Sequence, residues 1–109
     1  MKEIKAYIKK HKLEGVIRAL RKIEGLTGMS VIDSCGYGVG WGRAKGEEQI
    51  ECRPGVKVEI VCRDDLIDQV VATIEKAAHT GLKGDGKIYV GAIEQAVRIS
   101  SGERGEGAV

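Results

Sequence analysis

The residues best suited to chemistry in this 109-residue chain form one octet, Thr80-Gly81-Leu82-Lys83-Gly84-Asp85-Gly86-Lys87. Glycines at 84 and 86 let the main chain take positive φ and approach a ligand with no Cβ in between. Successive N–H groups in such a turn converge on an anion, and Lys87 adds a point charge. Taken alone, the octet reads first as an ordinary turn, with anion binding as the alternative. It is not a Walker loop, because the G-x-x-x-x-G-K-[ST] spacing fails and no Ser or Thr follows the lysine. No Ser-His-Asp grouping or paired carboxylate set offers nucleophilic or acid–base catalysis. Three cysteines and two histidines (His11, His79) do not fall at a metal-ligand spacing. Cys35 and Cys52 bracket a long glycine-rich segment and are read as two free thiols, with a redox latch between them as the alternative. Cys62 reads as core packing, and His79 as a residue at a helix end, where a dipole contact explains it.

The elements that must position the octet follow from periodicity. Ile4, Ala6 and Ile8 alternate with Lys5, Tyr7 and Lys9, a half-buried strand. Leu13, Val16, Ile17, Leu20 and Ile23 recur at helical spacing, and Gly25 and Gly28 end that helix. Met29 to Cys35 is a second strand. From Gly36 to Gly55 periodicity vanishes among Gly36, Gly38, Gly40, Gly42 and Gly46, a polar run and the only proline, Pro54. A connection of that length is usually functional. Val56, Val58, Ile60 and Cys62 alternate with Lys57, Glu59 and Val61 in the clearest strand. Asp64 or Asp65 is expected to cap a helix with inner face Leu66, Ile67, Val70, Val71, Ile74 and Ala78. Lys87 to Val90 is a last strand, and residues 100–109 form a polar tail expected to be flexible.

This order, β-α-β-β-α-β, predicts a single α+β domain over residues 1–109 of ferredoxin-like type, an antiparallel sheet with two helices on one face. The other face would carry Lys5, Tyr7, Ser30, Ile32, Lys57, Glu59 and Val61. That mixture is too apolar for water and too polar for a core, which predicts assembly with identical chains. Composition narrows the partners. Lys and Arg total 18 against 16 Asp and Glu, and the signs are interleaved, so no nucleic-acid partner is expected. No run reaches the roughly 20 apolar residues of a membrane span, so no membrane insertion is expected. An odd cysteine count and an N-terminus without a secretory apolar region predict a cytoplasmic protein with reduced thiols.

Taken in order, the segments resemble the P-II signal-transduction (nitrogen regulatory) family. Thr80-x-x-x-Gly84-Asp85-Gly86-Lys87-Ile88-Tyr89-Val90 looks like its signature loop and strand. Lys2-x-Ile4 with Leu13-Glu14-x-Val16 resembles its start, and Gly28-Met29-Ser30-Val31 its second strand. Gly36-Tyr37-Gly38 resembles the entry to its long T-loop, here 36–55. Pro54-x-Val56-Lys57-Val58-Glu59-Ile60-Val61 resembles its third strand, and Val97-Arg98-Ile99-x-x-Gly102-Glu103 its C-terminal segment. The resemblance spans essentially the whole chain.

Such a resemblance implies a homotrimer with a nucleotide site in each cleft between neighbours, where ATP and ADP compete, with AMP a further candidate. It also implies a T-loop that contacts a regulated membrane transporter or metabolic enzyme. By position, Gly84, Gly86 and Lys87, with Asp85 between them, would hold phosphates in the loop 80–87. Gly36, Tyr37 and Gly38 would lie beside those phosphates. Tyr7, Ser30, Glu59 and Val61 would line adenine and ribose, and Arg98 would reach the phosphates from the adjacent subunit, as a forked donor suits. Whether Mg2+ accompanies the nucleotide is left open.

Departures from the family pattern cluster at the site. Val39 follows Gly38 where Arg-Gln is usual, and an arginine appears only at 43. Gly55 replaces a lysine that pairs with a 2-oxoglutarate carboxylate. Losing an amide ligand and a carboxylate partner together leaves a buried dianion uncompensated, which predicts weak or absent 2-oxoglutarate sensing. Ser100 replaces a second phosphate-binding arginine, which should weaken ATP more than ADP or AMP. The T-loop is shortened and lacks tyrosine and serine between Val39 and Arg53, so it has no acceptor for uridylylation or serine phosphorylation. Trp41 and Arg43 are its candidate partner contacts. The reading is a non-catalytic adenine-nucleotide sensor. A small enzyme of acylphosphatase type is the alternative, but the Arg/Asn phosphate cradle is missing from the first loop. An RNA-recognition module would need aromatics on the central strands, and Tyr89 is nearly alone there.

Overall fold

The computed structural model describes residues 1–38 and 51–109. Strand β1, Lys2–Ile8, leads through a 3-10 turn at Lys10–Lys12 into helix α1, Leu13–Leu20. Strands β2, Ser30–Gly36, and β3, Arg53–Cys62, come next. A second 3-10 turn, Asp64–Leu66, starts helix α2, Ile67–Ala78, and β4 follows at Lys87–Ala92. The four strands form one antiparallel sheet in the order β2-β3-β1-β4. This is the ferredoxin-like α+β arrangement that the element order predicts.

The alternation in β1 and β3 fixes which face is buried. Ile4 pairs with Ile60, Ala6 with Val58 and Ile8 with Val56, and all six are at least 95% buried. Val16 and Leu20 of α1, and Val70, Ile74 and Ala78 of α2, close over them. Their spacing of four residues within each helix puts them on one helix face. The other sheet face receives the alternate set, including Tyr7, Lys57, Glu59 and Val61, all partly exposed. Tyr7 and Ile32 on that face are 39% and 43% exposed, a side of the sheet that no helix among the described residues covers.

Four local expectations need correction. Helix α1 ends at Leu20 rather than Ile23, but Ile23 stays buried because a turn carries it inward, its N–H donating to the Leu20 carbonyl at 3.0 Å. β3 starts at Arg53, earlier than the alternation indicates. β1 has already ended opposite Val56, so the missing N–H of Pro54 interrupts no ladder on that side. Neither Asp64 nor Asp65 caps α2. Asp65 is held by Arg63 at 2.7 and 3.1 Å, a local forked pair that takes precedence over capping. The polar tail is not loose throughout, since Val97 bridges Arg104 and a 3-10 turn runs over Gly105–Ala108. Main-chain bonds from Arg98 N–H to Glu103 and from Gly102 N–H to Arg98, at 2.8 and 2.7 Å, close a separate turn over residues 98–103.

Leu20 is fully buried between the helices and the sheet. Leu20→Ala should cost about 2–5 kcal/mol, read by urea denaturation followed by circular dichroism. A loss below about 1 kcal/mol would contradict a core centred there.

Candidate functional site

The octet that opened the sequence reading is a built loop between α2 and β4. Gly81, Gly84 and Gly86 all take positive φ, at 81°, 83° and 101°. Gly86 lies against β1, and a Cβ there would run into the carbonyl oxygen of Tyr7. Position 86 therefore accepts only glycine without displacing the strand. Tyr7 is paired with Lys87 across β1 and β4, so the loop's exit is fixed to the sheet by register.

Asp85 organises this loop from within. Its Oδ2 accepts the Thr80 N–H at 2.8 Å and the Gly81 N–H at 3.3 Å, and its Oδ1 accepts the Thr80 hydroxyl. The Lys9 ammonium lies 3.2 Å from Oδ1 and donates to Thr80 Oγ1 at 3.2 Å. His79 Nδ1 is 3.5 Å from Oδ2. Hydrogen bonds from Thr80, above all its hydroxyl, hold the Asp85 carboxyl well below the usual carboxylate range, and Lys9 reinforces them. A carboxylate so engaged shapes the loop instead of meeting an anion. Among the described residues no carboxylate pairs with Lys87, which is exposed. Lys9 is a partner of this loop that the sequence reading does not single out. Lys9 follows the last buried residue of β1 and carries no motif, although Thr80 does open the octet.

The expected site residues divide into separate groups. Tyr7, Asp85, Gly86 and Lys87 border a cavity of about 380 Å3 beside α2. Ser30, Glu59, Val61 and Arg98 border a groove of about 690 Å3 at the other end of the sheet, joined by Gly28 and Met29. Ser30 and Glu59 are register partners, and Val61 pairs with Glu3. Glu3 and Tyr7 are four residues apart on one strand, about 13 Å. Tyr7 thus sits with the loop residues, away from the end that holds Arg98. On the open face the Lys57 ammonium lies 2.8 Å from Glu59, and that hydrogen bond keeps the Glu59 carboxyl below its ordinary range. Arg98 is half-exposed, with its Nε 3.9 Å from Glu103.

Gly36, Tyr37 and Gly38 lie where β2 ends, at the same end of the sheet as Ile8 and Lys87. Tyr37 is 65% exposed there. Cys35 and Cys52 are bonded to each other with Cα atoms 5.2 Å apart, which overturns the reading of two free thiols. Antiparallel pairing of Cys35 with Pro54 brings together residues that lie 17 positions apart in the chain. Cys62 is free and buried as expected, and burial raises its thiol pKa. Trp41 and Arg43 lie outside the described residues. Gly55 is crowded, since a Cβ there would stand 3.1 Å from the Ile8 carbonyl oxygen.

Fold and loop together define a ferredoxin-like domain that carries a glycine-rich, lysine-ended turn at one end of its sheet. The family model described as Nitrogen regulatory protein P-II matches residues 1–103. Similar chains include the Nitrogen regulatory protein P-II of Bradyrhizobium diazoefficiens, 45% identical, and that of Rhodospirillum rubrum, 43% identical. The Nitrogen regulatory protein P-II 1 of Escherichia coli is 41% identical, and all three matches cover the whole of both chains. The chain belongs to the P-II family of nitrogen regulatory proteins. It is a signalling protein and not an enzyme, and the acylphosphatase alternative is set aside on these family matches.

Gly86→Ala should lower stability by more than the roughly 1–2 kcal/mol that a left-handed backbone alone costs a non-glycine residue, because the strand must also move. Denaturant melts check the loss, and amide shifts at Tyr7 check the displacement. The lowered Asp85 pKa sets a pH dependence with a definite sign. Its contribution is complete above the unfolded-state value of about 3.9 and fades as pH falls below that. Amide shifts of Thr80 and Gly81 should hold steady from neutral pH to about pH 5 and move only in stronger acid. In Asp85→Asn that acid response should be absent.

Proposed function

We propose that this protein is a trimeric, cytoplasmic adenine-nucleotide sensor that controls a membrane transporter or a metabolic enzyme by direct contact. The observation that carries the reading is the octet. Its glycines hold main-chain N–H groups in a turn, Asp85 is consumed in shaping it, and Lys87 stands next to it with no carboxylate partner among the described residues. That arrangement suits a polyphosphate, which needs several donors and a cation while any free carboxylate would repel it.

The division of the site residues supports the trimer. Ser30, Glu59 and Val61 offer a groove for a base and a ribose, and Arg98 lies in the same groove. Gly84, Gly86 and Lys87, with Gly36, Tyr37 and Gly38, stand at the opposite end of the sheet and would take the phosphates. One chain holds the halves apart, so a nucleotide meets both only where the loop end of one copy abuts the groove of another. A ring of copies supplies that contact in each cleft. The uncovered sheet face, with Tyr7 and Ile32 on it, gives the copies a surface to bury. Tyr7 would then contribute from the loop side, and Asp85 would position the phosphate donors.

The same reading sets the effector range. Gly55 has no carboxylate-pairing side chain, and the Ile8 carbonyl limits the space for one. No cation stands at position 100, where Ser100 lies. ATP therefore keeps little advantage over ADP or AMP, and 2-oxoglutarate adds little. Control passes through residues 36–55, with Trp41 and Arg43 as the partner contacts and no tyrosine to modify between Val39 and Arg53.

Calorimetric titration of the purified protein tests this. ADP and ATP should bind with affinities within about tenfold of each other, and 2-oxoglutarate should shift neither by that much. Lys87→Ala should weaken both by about tenfold or more. No binding of any adenylate, or ATP at least about tenfold tighter than ADP, would contradict the reading.

A further inference from the structure

Cys35 is the next-to-last residue of β2, and Cys52 directly precedes β3. Register sets Gly36 against Arg53, so the two cysteines meet diagonally where the ladder stops. Their Cα separation of 5.2 Å lies inside the span a disulfide needs, and they are bonded. Cys35 is exposed and Cys52 half-buried, so small thiols can reach the pair. Neither belongs to the buried core, which is complete without them. The third cysteine cannot scramble the bond. Cys62 is 2% exposed at the far end of β3, ten residues or about 33 Å of strand from Cys52. An exposed disulfide outside the core is the labile, regulatory kind rather than a staple.

We propose that Cys35 and Cys52 are a reversible dithiol–disulfide switch on the strand ends that carry Gly36, Tyr37 and Gly38. Its exchange partners are low-molecular-weight thiols of the glutathione class. A thiolate attacks the exposed Cys35 sulfur, the S–S bond breaks, and Cys52 leaves as a thiolate that takes a proton. A second thiol then attacks the mixed disulfide and releases Cys35. Two small thiols become one small disulfide, and the protein gains two electrons and two protons. Oxidation runs the same steps in reverse. Closed, the bond holds the end of β2 to the start of β3. Open, only the ladder joins them, and the position of Gly36 to Gly38 loosens. An effect on nucleotide affinity also rests on the reading given under Proposed function, whereas the switch itself does not.

The test equilibrates the full-length native protein with reduced and oxidised glutathione in varied ratio, followed by acid quench, alkylation and mass counting with peptide mapping. The expected result is one reversible transition in which Cys35 and Cys52 gain or lose reactivity together, while Cys62 reacts only after unfolding. Two outcomes overturn the proposal: both thiols staying reactive in excess oxidised glutathione, or the bond resisting excess reduced glutathione in the folded protein. Cys35→Ser and Cys52→Ser, each folded by circular dichroism, should leave one reactive thiol and abolish the paired transition. ADP affinity should then differ about fivefold or more between the oxidised protein and the Cys35→Ser/Cys52→Ser protein. Equal, measurable affinities overturn the coupling. If no adenylate binds either form, the nucleotide reading fails, and the thiol counts still decide the switch.

Discussion

Two helices can cover only one face of a four-stranded sheet, and everything else about this molecule follows from that limit. Ile4, Ala6, Val58 and Ile60 go under α1 and α2 and are lost to solvent. The strand period of two then forces Lys5, Tyr7, Lys57, Glu59 and Val61 onto the face opposite the helices. A surface with two tyrosines in edge contact, Tyr7 and Tyr89 at 6.1 Å, beside a paired Lys57 and Glu59 is neither a finished core nor an ordinary wet exterior. The fold stabilises one side and leaves the other partly exposed.

The loop 80–87 shows how a rigid turn is attached to that frame. Its shape comes from a carboxylate turned onto the loop itself. Asp85 gathers the Thr80 hydroxyl, two main-chain N–H groups and the Lys9 ammonium, and the glycines on either side take the strained φ values. Gly86 then touches the β1 backbone so closely that no side chain fits. Rigidity comes from this arrangement at the expense of sequence freedom at 84–86.

Much of this was legible in the residues, because burial periodicity is a local signal. β1, β3, the inner faces of both helices and the two-layer class followed from spacing alone, and the ordered motifs identified the family. What escaped was set by tertiary geometry. Pro54 and Gly55 read as loop, yet they extend β3 because Cys35 and Ser34 of β2 pair with them. Asp64 and Asp65 read as helix caps, but Arg63 claims one of them. Asp85 read as part of a ligand-binding motif, and only the structure shows its oxygens turned onto Thr80. Cys35 and Cys52 are distant in sequence, and strand register, invisible to composition, joins them. Lys9 carries no motif and declares its role only through distance.

The most direct measurement of the central claim, that one site needs two copies, is complementation between variants damaged in opposite halves. Lys87→Ala removes the loop cation, and Arg98→Ala removes the groove cation. Each homo-oligomer should bind ADP weakly. Co-refolded mixtures should recover part of the high-affinity binding, because some clefts then join an intact loop to an intact groove. Mixtures that assemble but bind no better than either variant alone would contradict the account and return both cations to a site within a single chain.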